Sequence, residues 1–236
     1  MSVHGSEANV ALLVGVAENL GHLRESLVFV GGCATALLVT ATRAQPIRVT
    51  LDVDLVAEVA TLTEYHELER QFEALGFVHD LSVEAPICRW RTHRHVVDLM
   101  PTRSHILGFA NPWYPIAVAT AQEVTLPGTE MLIRLIRAPV FIATKLVAFN
   151  ERGRGDFLAS HDLEDVITVV DGRDTLHDEV VAGPAALQEF IAAEVAALVR
   201  NDEFIGALSG HLPGDLAAQR RLPQLVEKLR RLAEVR

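Results

Sequence analysis

The 236-residue sequence contains few cysteines and few aromatic residues, and it has fewer basic than acidic residues. Two cysteines, Cys33 and Cys88, are too few for a disulfide framework, so we expect two reduced thiols. Aromatic residues make up only 6% of the chain, which disfavours a surface that binds nucleic acid by base stacking. Basic residues number 21 against 31 acidic ones, and the net charge of -10 disfavours broad, nonspecific binding of nucleic acid.

Targeting signals and long apolar runs are also missing. Residues 1–7 have neither the basic region nor the apolar region of a secretory signal. The uncharged run at residues 26–42 is 17 residues long, but it contains Gly31 and Gly32 and predicts a strand, a turn and a helix instead of a membrane span. We therefore expect no membrane association and a cytoplasmic location.

Local patterns predict an α+β fold. The β-branched and aromatic run at residues 27–30 stops at Gly31 and Gly32, which predicts a buried strand that ends in a tight turn. Alternation predicts further strands at residues 47–56, 87–92 and 95–100, the last two as a hairpin. Residues 102–137 contain several prolines and predict short strands and loops.

Helical periodicity and capping residues predict seven helices, of which the last four follow one another. They are expected at residues 7–23 with Ser6 as N-cap, 34–42, 61–75 with a capping box of Thr61 and Glu64, 139–150, 160–170 with Ser160 as N-cap, 184–200 and 216–235. We therefore expect a mixed α/β part at residues 1–138 and a helical part at residues 139–236.

The strand at residues 47–56 has the most informative pattern in the chain. One face is apolar, with Val49, Leu51, Val53 and Leu55, and the other carries Arg48, Thr50, Asp52 and Asp54. Asp98 adds a carboxylate to the largely apolar second strand of the hairpin. Such carboxylates either face solvent on an edge strand or, if buried together, require a compensating cation.

The spacing of Asp52 and Asp54 suits a divalent cation. Side chains at i and i+2 of a strand share a face and are roughly 6–7 Å apart at the backbone. Mg²⁺ (or Mn²⁺) prefers such hard oxygen ligands, and a third carboxylate from Asp98 would complete a two-metal site for phosphoryl or nucleotidyl transfer.

These residues resemble the signature of a known superfamily. Val30-Gly31-Gly32, Arg48-x-Thr50-x-Asp52-x-Asp54-Leu55 and Val97-Asp98 resemble, in this order, the motifs of the DNA polymerase β-type nucleotidyltransferases. Lys145, the pair Arg152 and Arg154, and Asp162-Leu163-Glu164-Asp165 resemble the later motifs of the AbiEii-type nucleotidyltransferases, many of which are toxins of toxin–antitoxin pairs. The resemblance covers roughly residues 27–170.

The resemblance implies a mixed sheet flanked by helices, with the helical region completing the active-site cleft. It also implies a role for each matched residue in the first part of the chain. Asp52 and Asp54 would hold Mg²⁺ (or Mn²⁺) on the triphosphate, and Asp98 would ligate a second metal or take the proton of an acceptor hydroxyl. The backbone amides near Gly31 and Gly32, together with Thr50, would bind the nucleotide.

In the second part of the chain, Lys145 would contribute a positive charge to the phosphates. Asp162 would support Lys145 or orient the acceptor. The implied reaction transfers NMP from an NTP to a hydroxyl of tRNA or of a protein and releases pyrophosphate, and a cognate antitoxin is an implied partner.

Three alternatives remain open from the sequence. The acceptor could be a small molecule such as an aminoglycoside. Asp52-Val53-Asp54-Leu55-Val56 also fits the motif of haloacid-dehalogenase-like phosphatases, with Asp52 as nucleophile and Gly155-Asp156 as a later motif. The third alternative is a pseudo-enzyme that binds a partner and catalyses no reaction.

The acidic net charge is unevenly distributed. Residues 86–154 contain nine basic and four acidic residues, a net charge of +5, so the rest of the chain has -15. This distribution is compatible with a basic cleft that accepts a nucleotide.

Overall fold

A computed structural model describes residues 4–41, 46–153 and 155–235 of the chain. Its α+β architecture, with one mixed seven-stranded sheet flanked by helices, confirms the predicted fold class. The strands are β1 (Leu27–Val30), β2 (Asp52–Ala57), β3 (Val78–His79), β4 (Arg89–Arg91), β5 (Val96–Pro101), β6 (Gln122–Thr125) and β7 (Leu132–Leu135). The helices are α1 (His4–Leu20), α2 (Gly31–Leu38), α3 (Leu62–Ala74), α4 (Ser104–Leu107), α5 (Tyr114–Thr120), α6 (Ala138–Arg152), α7 (His161–Gly172), α8 (Leu176–Val181), α9 (Ala185–Val199), α10 (Asp202–Ala207), α11 (Leu216–Gln219) and α12 (Leu222–Ala233).

Backbone contacts divide the chain into two compact units. The sheet unit comprises His4–Ala36 and Arg48–Arg137, and it contains all seven strands. The helical unit comprises Leu37–Ile47 and Ala138–Arg236, as far as these residues are described. The helices from α6 to α12 all belong to the helical unit.

The sheet has the strand order β3-β4-β5-β2-β1-β7-β6. Two pairs are parallel, β2 with β5 and β1 with β7, and the other neighbours are antiparallel. Since β1 and β5 flank β2, both edges of the predicted acidic strand are paired. The alternative that these carboxylates lie on an edge strand is therefore wrong.

Aromatic packing and a capping box fix α3 against the sheet unit. The Glu64 amide donates to the Thr61 hydroxyl at 3.2 Å, and the Thr61 amide donates to the Glu64 carboxylate at 3.2 Å, which confirms the predicted capping box. Phe72 on this helix lies 5.0 Å from the Phe77 ring and 5.5 Å from the Trp90 ring, between ring centres. These contacts bury α3 beside the β4–β5 hairpin.

In the helical unit, α6 and α7 each carry a long series of buried residues. Ser160 caps α7 as predicted, since its hydroxyl accepts a hydrogen bond from the Leu163 amide at 3.4 Å. Phe141, Leu163 and Ile167 are fully buried and belong to the apolar core of this unit.

Several predicted bounds are wrong. Residues 216–235 form two helices, α11 and α12, instead of one. Ser6 lies inside α1, which starts before it, and so does not cap it. The helix predicted for residues 34–42 begins earlier, at Gly31, and the end predicted at Thr42 lies outside the described residues.

The strand predicted at residues 47–56 begins only at Asp52. Val49 and Leu51, expected on a buried face, are 51% and 83% exposed. The cause is the Asn9 side chain, which donates to the Arg48 carbonyl at 2.9 Å and accepts from the Thr50 amide at 3.0 Å. Asn9 thus forms hydrogen bonds that a neighbouring strand would otherwise provide to this backbone. The segment before Asp52 is therefore held in place although it is not part of the sheet.

No helix within the described parts of the chain is both long and apolar enough to cross a lipid bilayer. The uncharged run that begins at Ser26 forms β1 and α2 as far as it is described, in agreement with the prediction from its glycines.

Candidate functional site

Three carboxylates lie on one face of the sheet. In the parallel pairing of β2 with β5, Asp54 is directly opposite Asp98, and Asp52 is two residues earlier on the same strand face. Asp98 is buried, whereas Asp52 and Asp54 are partly exposed. The structure therefore brings the three predicted acidic residues together.

A guanidinium group connects two of these carboxylates. Arg89 lies opposite Asp98 in the antiparallel β4–β5 pair and donates to both Asp98 oxygens, at 2.8 and 2.7 Å. The same side chain donates to the Oδ2 atom of Asp52 at 2.8 Å. Its hydrogen bonds to Asp98, and the charges of both carboxylates, raise the pKa of Arg89, although burial opposes this. Arg89 is therefore a permanent cation at the acidic face.

The turn after β1 approaches the same face. Val30, the last residue of β1, is paired with Asp54, and the next residue, Gly31, has a left-handed φ of +69°. A Cβ atom at Gly31 would collide with the Asp54 carboxylate and with its Cβ atom. Only glycine allows the backbone to start α2 this close to Asp54. The amides at the start of α2 lack partners within the helix, which is the property that an anion site uses.

Thr50, predicted as a nucleotide-binding residue, is buried against α1. Its amide is bonded to Asn9, and its hydroxyl lies 3.5 Å from the same Asn9 oxygen. The geometry gives Thr50 a structural contact, and its role on a nucleotide stays a prediction.

Cys88 precedes Arg89 and lies beneath the acidic face. Burial, together with the charges of Asp98 and Asp54, raises the pKa of the Cys88 thiol to about 12. The thiol is therefore protonated at neutral pH, which excludes it as a nucleophile there.

Lys145 and Asp162 meet within the helical unit. The Lys145 ammonium lies 3.1 Å from the Asp162 carboxylate and 2.7 Å from the Asp165 carboxylate, and its side chain is only 10% exposed. Arg152 donates to both Asp162 oxygens, at 2.7 and 2.9 Å. Two cations thus balance two carboxylates, and the roles of Lys145 on phosphate and of Asp162 on the acceptor stay predictions.

The electrostatics of Asp162 follow from these partners. Burial alone would raise the pKa of its carboxyl, but the hydrogen bonds from Arg152 and the charge of Lys145 outweigh burial and lower it.

Carboxylate oxygens, which the sheet unit offers on one face, are the type of ligand that a hard divalent cation prefers. All three side chains offer carboxylate oxygens on one face, and a guanidinium already bridges two of them, so the position stabilises positive charge. Among the described residues, no group of three or more His, Cys, Asp or Glu side chains is already arranged around one metal position. Any cation must therefore bind beside Arg89 or displace it.

Arg89 was not among the predicted site residues, although the register of the predicted hairpin could have located it. A two-residue connection at His93 and Arg94 pairs Thr92 with His95, and the Thr92 amide indeed donates to the His95 carbonyl at 2.8 Å. Arg89 lies three residues before Thr92, and Asp98 lies three residues after His95. The same register therefore pairs Arg89 with Asp98.

Comparison with known proteins adds no assignment. No family model and no curated protein sequence matches the chain.

Replacement of Gly31 by alanine should destabilise the sheet unit more than alanine at another left-handed glycine. We expect Gly31→Ala to lower the free energy of unfolding by about 3–4 kcal/mol, because backbone strain adds to displacement of Asp54. The control is Gly76→Ala, at φ +85° with nothing within 4 Å of the added atom, for which we expect about 1–2 kcal/mol. Denaturant titration measures both, and equal losses would show that Asp54 moves aside at no cost.

Removal of the Lys145 charge should strongly destabilise the protein. We expect Lys145→Met to cost about 3–5 kcal/mol in denaturant unfolding, because two buried carboxylates lose a cation. The control is Arg70→Met, since Arg70 pairs with Glu67 on the surface and should change stability by less than about 1 kcal/mol. If Lys145→Met lowered the free energy of unfolding by less than about 1 kcal/mol, the view that Lys145 compensates the two carboxylates would be contradicted.

The stabilising effect of the Asp162 charge should disappear in acid. Its folded pKa is lowered, so the charge stabilises the fold above the unfolded pKa of about 3.9 and ceases to do so as pH falls through the folded pKa. We expect the difference in unfolding free energy between wild type and Asp162→Asn to be constant above about pH 5 and to shrink below about pH 4. Exposed Glu203 provides the control variant, Glu203→Gln. A difference that grew on acidification would contradict this sign.

Proposed function

We propose that the chain is a metal-dependent nucleotidyltransferase that transfers NMP from an NTP to an acceptor hydroxyl and releases pyrophosphate. The observation that supports this best is the juxtaposition of Asp52, Asp54 and Asp98 on one sheet face, beside the left-handed Gly31. Carboxylates on adjacent central strands and bare amides at a glycine turn are the two elements that bind a metal-bound triphosphate.

Each residue of the sheet unit has a distinct task in this proposal. Asp52 and Asp54 would hold the divalent cation, which when bound neutralises charge on the triphosphate and its leaving group. The amides at Gly31 and Gly32 would hydrogen-bond phosphate oxygens at the start of α2. Asp98 would ligate a second cation or accept the proton of the acceptor hydroxyl.

The acceptor follows from the resemblance and not from the geometry. We favour tRNA or a protein side chain, as in the toxin-like members, with a small regulator as cognate antitoxin. The proposal places the chain in the cytoplasm, where NTPs and Mg²⁺ are present. Lys145 and Asp162 belong to the helical unit, and their contribution to this reaction remains a prediction.

The direct test is transfer of label from each α-labelled NTP in the presence of Mg²⁺. We expect the full chain to label tRNA or protein and to release pyrophosphate. Loss of a carboxylate removes several kcal/mol of charge stabilisation, so Asp52→Asn or Asp54→Asn should reduce transfer by about a hundredfold or more. The control is Asp80→Asn, because Asp80 lies in the same unit and its exposed carboxylate accepts hydrogen bonds from the amide and the hydroxyl of Ser82.

Three outcomes would redirect the assignment. Full activity in both Asp52→Asn and Asp54→Asn would overturn the proposal. An acyl-phosphate on Asp52 would instead support the phosphatase. Transfer of label to an aminoglycoside, with none to tRNA or protein, would keep the chemistry and change the acceptor.

A further inference from the structure

A cavity of about 180 Å³ lies within the helical unit, beside α8 and α12, and is called the α8–α12 cavity below. Its floor is formed by Val170, Leu176 and Leu232, which are all buried. The polar side chains at its rim are mainly basic, and they are Arg173, His177, Lys228, Arg231 and the acidic Asp174. An apolar floor with a few polar groups at its edge is the usual composition of a site for a small molecule.

Two of the three cations at the rim are paired with carboxylates. Arg173 donates to the Glu179 carboxylate at 2.7 Å. Lys228 donates to the Asp174 carboxylate and to the Asp171 carbonyl, both at 2.7 Å. An ammonium group has three N–H donors, so one donor of Lys228 has no acceptor among the described residues.

Arg231 differs from the other two cations. Its guanidinium donates to the Nδ1 atom of His177 at 3.1 Å, and it forms no ion pair with any described residue. The same ring nitrogen lies 3.0 Å from the Asp178 carboxylate. One nitrogen cannot accept a hydrogen bond from Arg231 and donate one to Asp178 at the same time. Most of the five donors of Arg231 can therefore serve an anion in the cavity.

We propose that the α8–α12 cavity binds a small organic anion. Its apolar body lies on the aliphatic floor, and its negative charge is held by Arg231 and Lys228. This site uses none of the residues assigned to nucleotide transfer, and the inference does not rest on that function.

The chemical class of the ligand follows from the lining. A single negative charge fits, because Arg173 and Lys228 already have carboxylate partners. A carboxylate suits Arg231, because guanidinium offers two parallel donors to its two oxygens. Free phosphate fits less well, because the aliphatic floor has no donors for its other oxygens. Cavities of about 150 Å³ hold a benzene ring, so this volume suffices for an aromatic carboxylate.

The test titrates benzoate into the full chain and measures the heat of binding. We expect one benzoate per chain, with a Kd of about 1 mM or below. Arg231→Gln should weaken binding by about tenfold or more, because a hydrogen bond to a charged group is lost. Arg230→Gln is the matched control and should change the affinity by less than about twofold. Arg230 precedes Arg231 on α12 and is equally classed as exposed, but it does not line the cavity.

Two further ligands test the chemical class on the wild type, so this part depends on no substitution. Benzamide keeps the ring without the charge, and acetate keeps the charge without the ring. We expect each to bind at least about tenfold more weakly than benzoate, because each lacks one of the two contacts.

The possible failures are distinct. If benzoate showed no saturable binding, or bound wild type and Arg231→Gln equally, the site would be overturned. If benzamide bound as tightly as benzoate, the role of the charge would be overturned, and equal binding of acetate would overturn the role of the apolar floor. None of these results bears on the transfer of nucleotides.

Discussion

Repulsion among three carboxylates is the constraint on which the sheet unit depends. Asp52, Asp54 and Asp98 share one face of two adjacent strands, and like charges at this separation destabilise a fold unless a cation lies among them. The strand order meets this requirement, because β4 lies next to β5 and places Arg89 beside Asp98. β1 ends at Val30, opposite Asp54, and the backbone continues close to the Asp54 side chain. The left-handed Gly31 at the start of α2 and the register of the hairpin are both arranged around these acidic side chains.

The helical unit also contains neighbouring carboxylates, and basic side chains contact them in a different arrangement. Lys145 lies between Asp162 and Asp165, and Arg152 forms a forked contact with Asp162. There, two basic side chains of α6 contact two acidic side chains of α7. On the sheet face, Arg89 contacts Asp98 and Asp52, and Asp54 lies opposite Asp98 on the same face.

Sequence patterns predicted the parts of the fold that local chemistry determines. The strand that ends at Gly31, the capping box at Thr61, the Ser160 cap and the hairpin of β4 and β5 all depend on neighbours within a few residues. Exposure of Leu51 could not be predicted in this way, because a distant side chain, Asn9, bonds the backbone around Thr50. The pairing of Asp54 with Asp98 is equally non-local. It was suggested by the need of a metal site for a third carboxylate and by the family resemblance.

The order of contacts along the chain has a consequence for how the protein folds. Arg89 and Asp98 are nine residues apart within one hairpin, whereas Asp54 and Asp98 are separated by 44 residues. Closing the shorter loop costs less chain entropy, so we expect the hairpin to form before β2 pairs with β5. Arg89 is then already bound to Asp98 when the other two carboxylates arrive, and the slow docking step brings Asp52 and Asp54 to a strand whose own negative charge has been neutralised.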